Sequence, residues 1–139
     1  MNNKYVSHFN LKPGDEIIVP KSSLDIIQHH ALYIGFDESG THWIIHNNVG
    51  VGVSLVTVNE FFRLCSRITR INRYAGSNTG RRRLVQRALQ TIGKPYDLID
   101  YNCEHFTTEM KTGKINSKQV ENALLGAILL LFMRVVFSD

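Results

Sequence analysis

A chain of 139 residues, 43% of them hydrophobic, suits one domain of ordinary size with an apolar core. Two cysteines, Cys65 and Cys103, are too few for a disulfide framework. The polar start from Met1 to Asn10 has no export-signal pattern and no Cys/His cluster has zinc spacing, so the sequence reads as a protein of a reducing interior with no metal and no cofactor. A net charge of +4 suits an anionic surface or ligand, but without basic–aromatic interleaving it does not make a nucleic-acid binder.

Residues 1–12 read as a polar, frayed lead-in, and Pro13-Gly14-Asp15 as a turn. Glu16 to Pro20 is a short strand stopped by proline. Gln28 to Gly35 is a second strand, with His30, Leu32 and Ile34 on one face and His29, Ala31 and Tyr33 on the other. Phe36 to Thr41, containing Asp-Glu-Ser-Gly, is a hairpin turn, and His42 to Asn48 is the third strand, with His42, Ile44 and His46 sharing a face.

The hairpin register decides which histidines meet. With Gly35 opposite Thr41, His30 lies directly across from His46, about 5 Å apart at Cβ. A two-residue slip makes them diagonal neighbours, whereas a one-residue slip puts them on opposite faces. The alternation favours a His30–His46 pair on one surface. His42 shares that face but lies about 13 Å along the strand from His46.

Gly50 to Val58 reads as a fourth strand, Asn59 to Leu64 as a helical turn, and Cys65 to Arg73 as a further strand in which Cys65 packs among Phe62, Leu64 and Ile68. Gly76 to Gly80 is a loop. Arg81 to Ile92 is an amphipathic helix with Leu84, Val85, Ala88, Leu89 and Ile92 as its apolar stripe, Gly93 as C-cap and Pro95 beyond. Arg81, Arg82 and Arg83 then fall in its first turn, where the dipole disfavours them. A solvated basic face is the simpler reading and an anion site the sharper one. A helix follows from Cys103 to about Lys111, and a last one starts near Asn116 or Ser117. Ala123 to Met133 is an apolar or glycine run followed by Arg134. With Val135, Val136 and Phe137 added, the fifteen residues from Ala123 make roughly 22 Å of helix, short of a ~30 Å hydrocarbon core. It reads as a short membrane anchor, with burial in a partner or in its own domain as alternatives.

Tyr101-Asn102-Cys103-Glu104-His105-Phe106 carries the chemistry. Unpaired N–H groups and the dipole at a helix start favour negative charge and can hold an oxyanion. A Cys–His pair suits acyl transfer. The imidazole takes the thiol proton, the sulfur attacks a carbonyl to give a thioester, and water or a second acceptor releases the acyl group. A third polar group orients the base. Here Cys103 is the candidate nucleophile, His30 the base and His46 the orienting group. Gln28 is a weaker candidate for an oxyanion donor. His105, two residues on, faces elsewhere on the helix. The structural alternative is that Cys103 is a small buried hydrophobe and the histidines are packed strand residues.

Asn102-Cys103-Glu104-His105-Phe106-Thr107 resembles the signature of the lecithin:retinol acyltransferase-like proteins, a group that includes the HRAS-like suppressor phospholipase/acyltransferases. Pro13-Gly14-Asp15, His30-Ala31-Leu32-Tyr33-Ile34-Gly35, Ile44-Ile45-His46, Thr112-Gly113-Lys114 and Lys118 to Glu121 agree in order, and the apolar tail has a counterpart in membrane-anchored members. The resemblance covers roughly residues 11–137. It implies an α+β, permuted papain-like (NlpC-type) fold, with an antiparallel sheet packed on the helix that carries Cys103. It implies a catalytic domain over 11–115, an apolar C-terminal helix over 116–139, and a Cys103–His30–His46 triad. It further implies a thiol acyltransferase or phospholipase acting on glycerophospholipid acyl esters at a membrane surface, cytoplasmic and held there by the C-terminal helix. The alternatives are a Cys–His amidase or peptidase of the NlpC type and a catalytically silent membrane adaptor.

Overall fold

The computed structural model describes residues 2–21, 28–65, 67–96 and 103–113. The first residues form a helix rather than a frayed lead-in, α1 (Lys4–Phe9). The Asn3 side chain accepts from the Tyr5 and Val6 amides, and Tyr5 and Phe9 stack on Phe62 at centroid distances of 4.7 and 5.6 Å. Those aromatic contacts are tertiary, so the polar composition of the segment concealed the helix.

Five strands follow: β1 (Glu16–Pro20), β2 (Gln28–Phe36), β3 (His42–Asn48), β4 (Gly52–Thr57) and β5 (Arg70–Asn72). They form one sheet in the order β4-β3-β2-β1-β5, with every neighbouring pair antiparallel. The helices are α2 (Val58–Arg63), α3 (Asn78–Gln90) and α4 (Cys103–Thr112). The result is an α+β fold with a single antiparallel sheet.

The sheet has a core on each face. Leu32, Ile34, Ile45 and Val53 meet Leu84, Val85, Ala88 and Leu89 of α3 and Phe106 and Met110 of α4. On the other face Ile17, Val19, Ala31, Tyr33 and Ile44 pack beneath Val58, Phe61 and Phe62 of α2. Burying both faces is why β1 and β2 read as near-continuous apolar runs.

Helix α3 starts three residues earlier than its apolar stripe suggested, because the Ser77 side chain caps it by accepting from the Gly80 amide. Arg81 to Arg83 therefore stand just past the first turn. Arg81 is an internal ion-pair residue: its guanidinium bonds the buried Asp15 carboxylate at 3.2 Å and also reaches the Pro13 and Tyr74 carbonyls.

The connection after α3 closes on the sheet edge. Val53 N–H donates to the Lys94 carbonyl at 2.9 Å, and Gly93 N–H donates to the Val53 carbonyl at 2.8 Å. Gly52 permits this approach. Its φ is +82°, and a Cβ there would stand 2.4 Å from the Lys94 oxygen. The apolar run from Ala123, the expected last helix and residues 97–102 lie outside the described residues.

Candidate active site

The β2–β3 hairpin is one residue out of the expected register. Ala31, not His30, lies opposite His46, and Tyr33 lies opposite Ile44. The register shifts again between Tyr33 and Gly35, where Gly35 takes a φ of 113°, so that the turn closes with Phe36 opposite His42. The cause is Asp37. Its Oδ1 accepts from the Ser39 and Thr41 amides at 2.9 and 3.0 Å, its own N–H donates to the Thr41 carbonyl, and its Oδ2 accepts from Trp43 Nε1 at 2.9 Å. The turn that these bonds define runs from Asp37 to Thr41 and leaves Phe36 in the strand.

A one-residue shift moves every side chain to the other face. The expected His30–His46 pair is therefore corrected, because the two rings stand on opposite faces of the sheet. His46 instead meets His29, its diagonal neighbour, with His29 Nε2 and His46 Nδ1 2.9 Å apart. Phe61 of α2 covers both rings, with centroids 6.3 Å from His29 and 6.0 Å from His46. His29 is buried, and its Nδ1 has no hydrogen-bond partner among the described residues. A buried nitrogen without a partner calls for a role.

Cys103 opens α4 and is buried, and its Sγ lies 3.7 Å from the Gln28 carbonyl oxygen. That carbonyl carbon is bonded to the His29 nitrogen, so the thiol sits at the very start of the strand that carries the imidazole. Two further residues stand near these groups. Lys21 acts electrostatically on both His29 and His46, and its Nζ lies 5.7 Å from the centre of the Tyr96 ring. The Tyr96 phenol in turn is raised by burial and by the nearby Cys103. Thiol, imidazole pair, lysine and tyrosine share one end of the sheet.

His30 turns toward α4. Its Nδ1 lies 2.8 Å from Glu16 Oε1, a carboxylate whose side chain is 3% exposed. Glu16 also accepts from Thr107 Oγ1 and Asn72 Nδ2, both at 2.8 Å, and from Lys111 Nζ. Gln28, weighed as an oxyanion donor, has its side-chain oxygen occupied by Thr69 Oγ1 at 2.6 Å. His105 is exposed, and Cys65 is half-buried against the α2 core.

Burial lowers His29 to about 3 from its ordinary 6.5, with His46, Lys21 and His30 adding to the effect. Burial, then Lys21, lowers His46 to about 4. Both rings are thus neutral near pH 7, as a proton acceptor must be. Burial pushes the Glu16 carboxyl up, but His30, Lys111, Asn72 and Thr107 together outweigh it and hold it well below the usual carboxylate range.

The pH windows separate on acidification. From pH 6.5 downward the unfolded chain takes up protons at residues 29 and 46 that the folded chain refuses until about pH 3 and 4, so folding weakens as pH falls through that window. Glu16 acts in the same direction at lower pH: its contribution is complete above its ordinary value of 4.5 and is lost as pH falls below that. Urea unfolding of wild type and His29→Asn/His46→Asn between pH 7 and 5 should show a distinctly shallower acid loss in the variant. Equal slopes would refute the assignment.

Among the described residues no group of three His, Cys, Asp or Glu side chains is arranged to hold a metal ion, and no helix is long and apolar enough to cross a membrane.

Fold and site together define an α+β protein in which a helix-start cysteine rests against the start of a strand that bears one of a pair of touching imidazoles. The family model described as lecithin retinol acyltransferase matches residues 9–116, and the chain belongs to that family. No curated protein and no solved structure gives a significant match.

Proposed function

We propose that the protein is a cysteine-dependent acyltransferase or phospholipase that cleaves acyl esters of glycerophospholipids through a thioester on Cys103, with His29 as base and His46 as its orienting partner. Membership of the lecithin retinol acyltransferase family supports acyl-transfer chemistry. The observation that carries the residue assignment is the His29–His46 contact, which leaves His29 Nδ1 buried and, among the described residues, without a partner at the end of β2 where Cys103 begins α4.

The steps follow from those atoms. With His29 Nε2–H donating to His46 Nδ1, the lone pair of His29 Nδ1 is free. It takes the thiol proton as Sγ attacks the ester carbonyl. Backbone N–H groups of the first turn of α4 stabilise the tetrahedral oxyanion. The imidazolium returns its proton to the departing alcohol, leaving the acyl group on sulfur. Water or a second alcohol or amine, deprotonated by the same ring, then releases it. Both histidines precede the cysteine in the chain, which is the order of a permuted papain-like fold. The apolar run from Ala123 serves in this reading to hold the cleft at a phospholipid surface.

Intact-protein mass spectrometry after incubation with phosphatidylcholine vesicles tests this reading. A fatty-acyl increment mapping to the Cys103 peptide, together with lysolipid or a transferred acyl product, is the expected result. Hydrolysis of peptide amides with no lipid turnover would replace it with an amidase of the same site. A Cys103 that neither acylates nor turns over either substrate would mark a non-enzymatic adaptor.

A further inference from the structure

We infer that Glu16 is a positioning residue for Cys103, acting through α4. The inference rests on the reading of Cys103 as the nucleophile but uses residues outside the thiol–imidazole site. Glu16 lies on the α4 face of β1, opposite Leu32 of β2, and its side chain is almost wholly enclosed. It gathers donors from three other elements: His30 of β2, Asn72 of β5, and Thr107 and Lys111 of α4.

Cys103, Thr107 and Lys111 are spaced at i, i+4 and i+8, so they form one stripe along α4. The two C-terminal members of the stripe are both fastened to Glu16. The third is the sulfur, one turn upstream, resting on the Gln28 carbonyl. The anchor thus sets both how far α4 slides along the sheet and how it is rotated about its axis. Apolar contacts alone set neither sharply: Phe106 and Met110 pack against Leu32, Ile34 and Ile45, and such surfaces tolerate sliding. Directional bonds to one buried carboxylate fix a single register. His30 completes the arrangement by joining that carboxylate to the strand residue next to His29, so the helix bearing the thiol and the strand bearing the base are referred to the same two oxygen atoms.

A displacement of about 1 Å in reacting atoms can cost about a hundredfold in rate, so loosening this anchor should act on turnover rather than on substrate affinity. The experiment compares Glu16→Gln and Thr107→Val with Arg73→Ala, which removes bonds from Arg73 to Asp15, Phe9 and Asn10, none of them in α4. Measured are kcat, KM, Tm and the rate of Cys103 alkylation by iodoacetamide. Glu16→Gln and Thr107→Val should lower kcat about tenfold or more, leave KM within about twofold, and slow alkylation in step, whereas Arg73→Ala should lower Tm and leave kcat and alkylation near wild type.

The inference falls if Thr107→Val keeps wild-type kcat and alkylation, or if Arg73→Ala loses as much activity per degree of Tm. Should Glu16→Gln fail to fold, Thr107→Val and Lys111→Met decide. If wild type forms no acyl adduct at all, the lipid reading fails while the alkylation rates, which need no lipid, still decide the positioning role.

Discussion

Cys103→Ala, His29→Asn and the double variant are expected to fall to one common floor of acyl transfer, about 10²- to 10⁴-fold below wild type. A nucleophile and its base act as a unit, so removing both costs no more than removing either. The same cannot hold for His30. Its ring is bonded to Glu16 on the α4 face, away from His46, and His30→Asn should lose about tenfold, through slackened placement of α4. Steady-state turnover of phospholipid by the four purified variants measures this. If His30→Asn reached the floor and His29→Asn did not, the base would be His30 with Glu16 as its orienting carboxylate, and the His29–His46 pair would be packing.

The second large effect concerns stability. Asp15 is 1% exposed and receives Arg73 at 2.9 Å, Arg81 at 3.2 Å, and the backbone amides of Lys12 and Tyr74 at 3.0 and 3.1 Å. Arg81 is itself largely enclosed and lies over the Tyr74 ring at 5.1 Å. Asp15→Ala would leave a buried guanidinium without its counter-charge and two amides without acceptors. Breaking a buried pair from one side costs about 3–5 kcal/mol. Arg73→Ala removes a half-exposed partner from the same carboxylate and should cost about 1 kcal/mol or less. Chemical denaturation of the two variants gives the comparison. Equal losses would mean that the Asp15 cluster is solvated in solution and that burial does not set its worth.

The contrast between His29 and His30 shows where reading residues in sequence stops. Both lie in a strand whose alternation was plain, and the strand bounds of β1 and β3 follow directly from their apolar runs and turn residues. Closure at Phe36–His42 instead of Gly35–Thr41 is a two-residue slip that keeps the faces; the bulge between Tyr33 and Gly35 takes back one residue, and that brings His29 rather than His30 to His46. Asp37 sets the closure, by accepting from the Ser39 and Thr41 amides while also holding Trp43. An aspartate two residues before a serine in a turn is a legible signal for a side-chain-capped turn. The Gly35 bulge and the Trp43 bond that complete the register are products of the folded hairpin. Helix α1 was hidden for a similar reason: its stability comes from Phe62, more than fifty residues away.

What can be read from the amino-acid sequence is the chemistry on offer: a cysteine at a helix start, histidines on the two strands of a hairpin ahead of it, and a stripe of apolar residues for α3. These follow from local periodicity and from which side chains can attack, accept protons or cap. Pairing comes from the folded chain alone: His46 with His29, His30 with Glu16, Arg81 with Asp15. A one-residue change of register reverses every side chain on a strand while leaving its hydrophobic pattern almost unchanged on a sheet buried on both faces, so the pattern could not choose between the two.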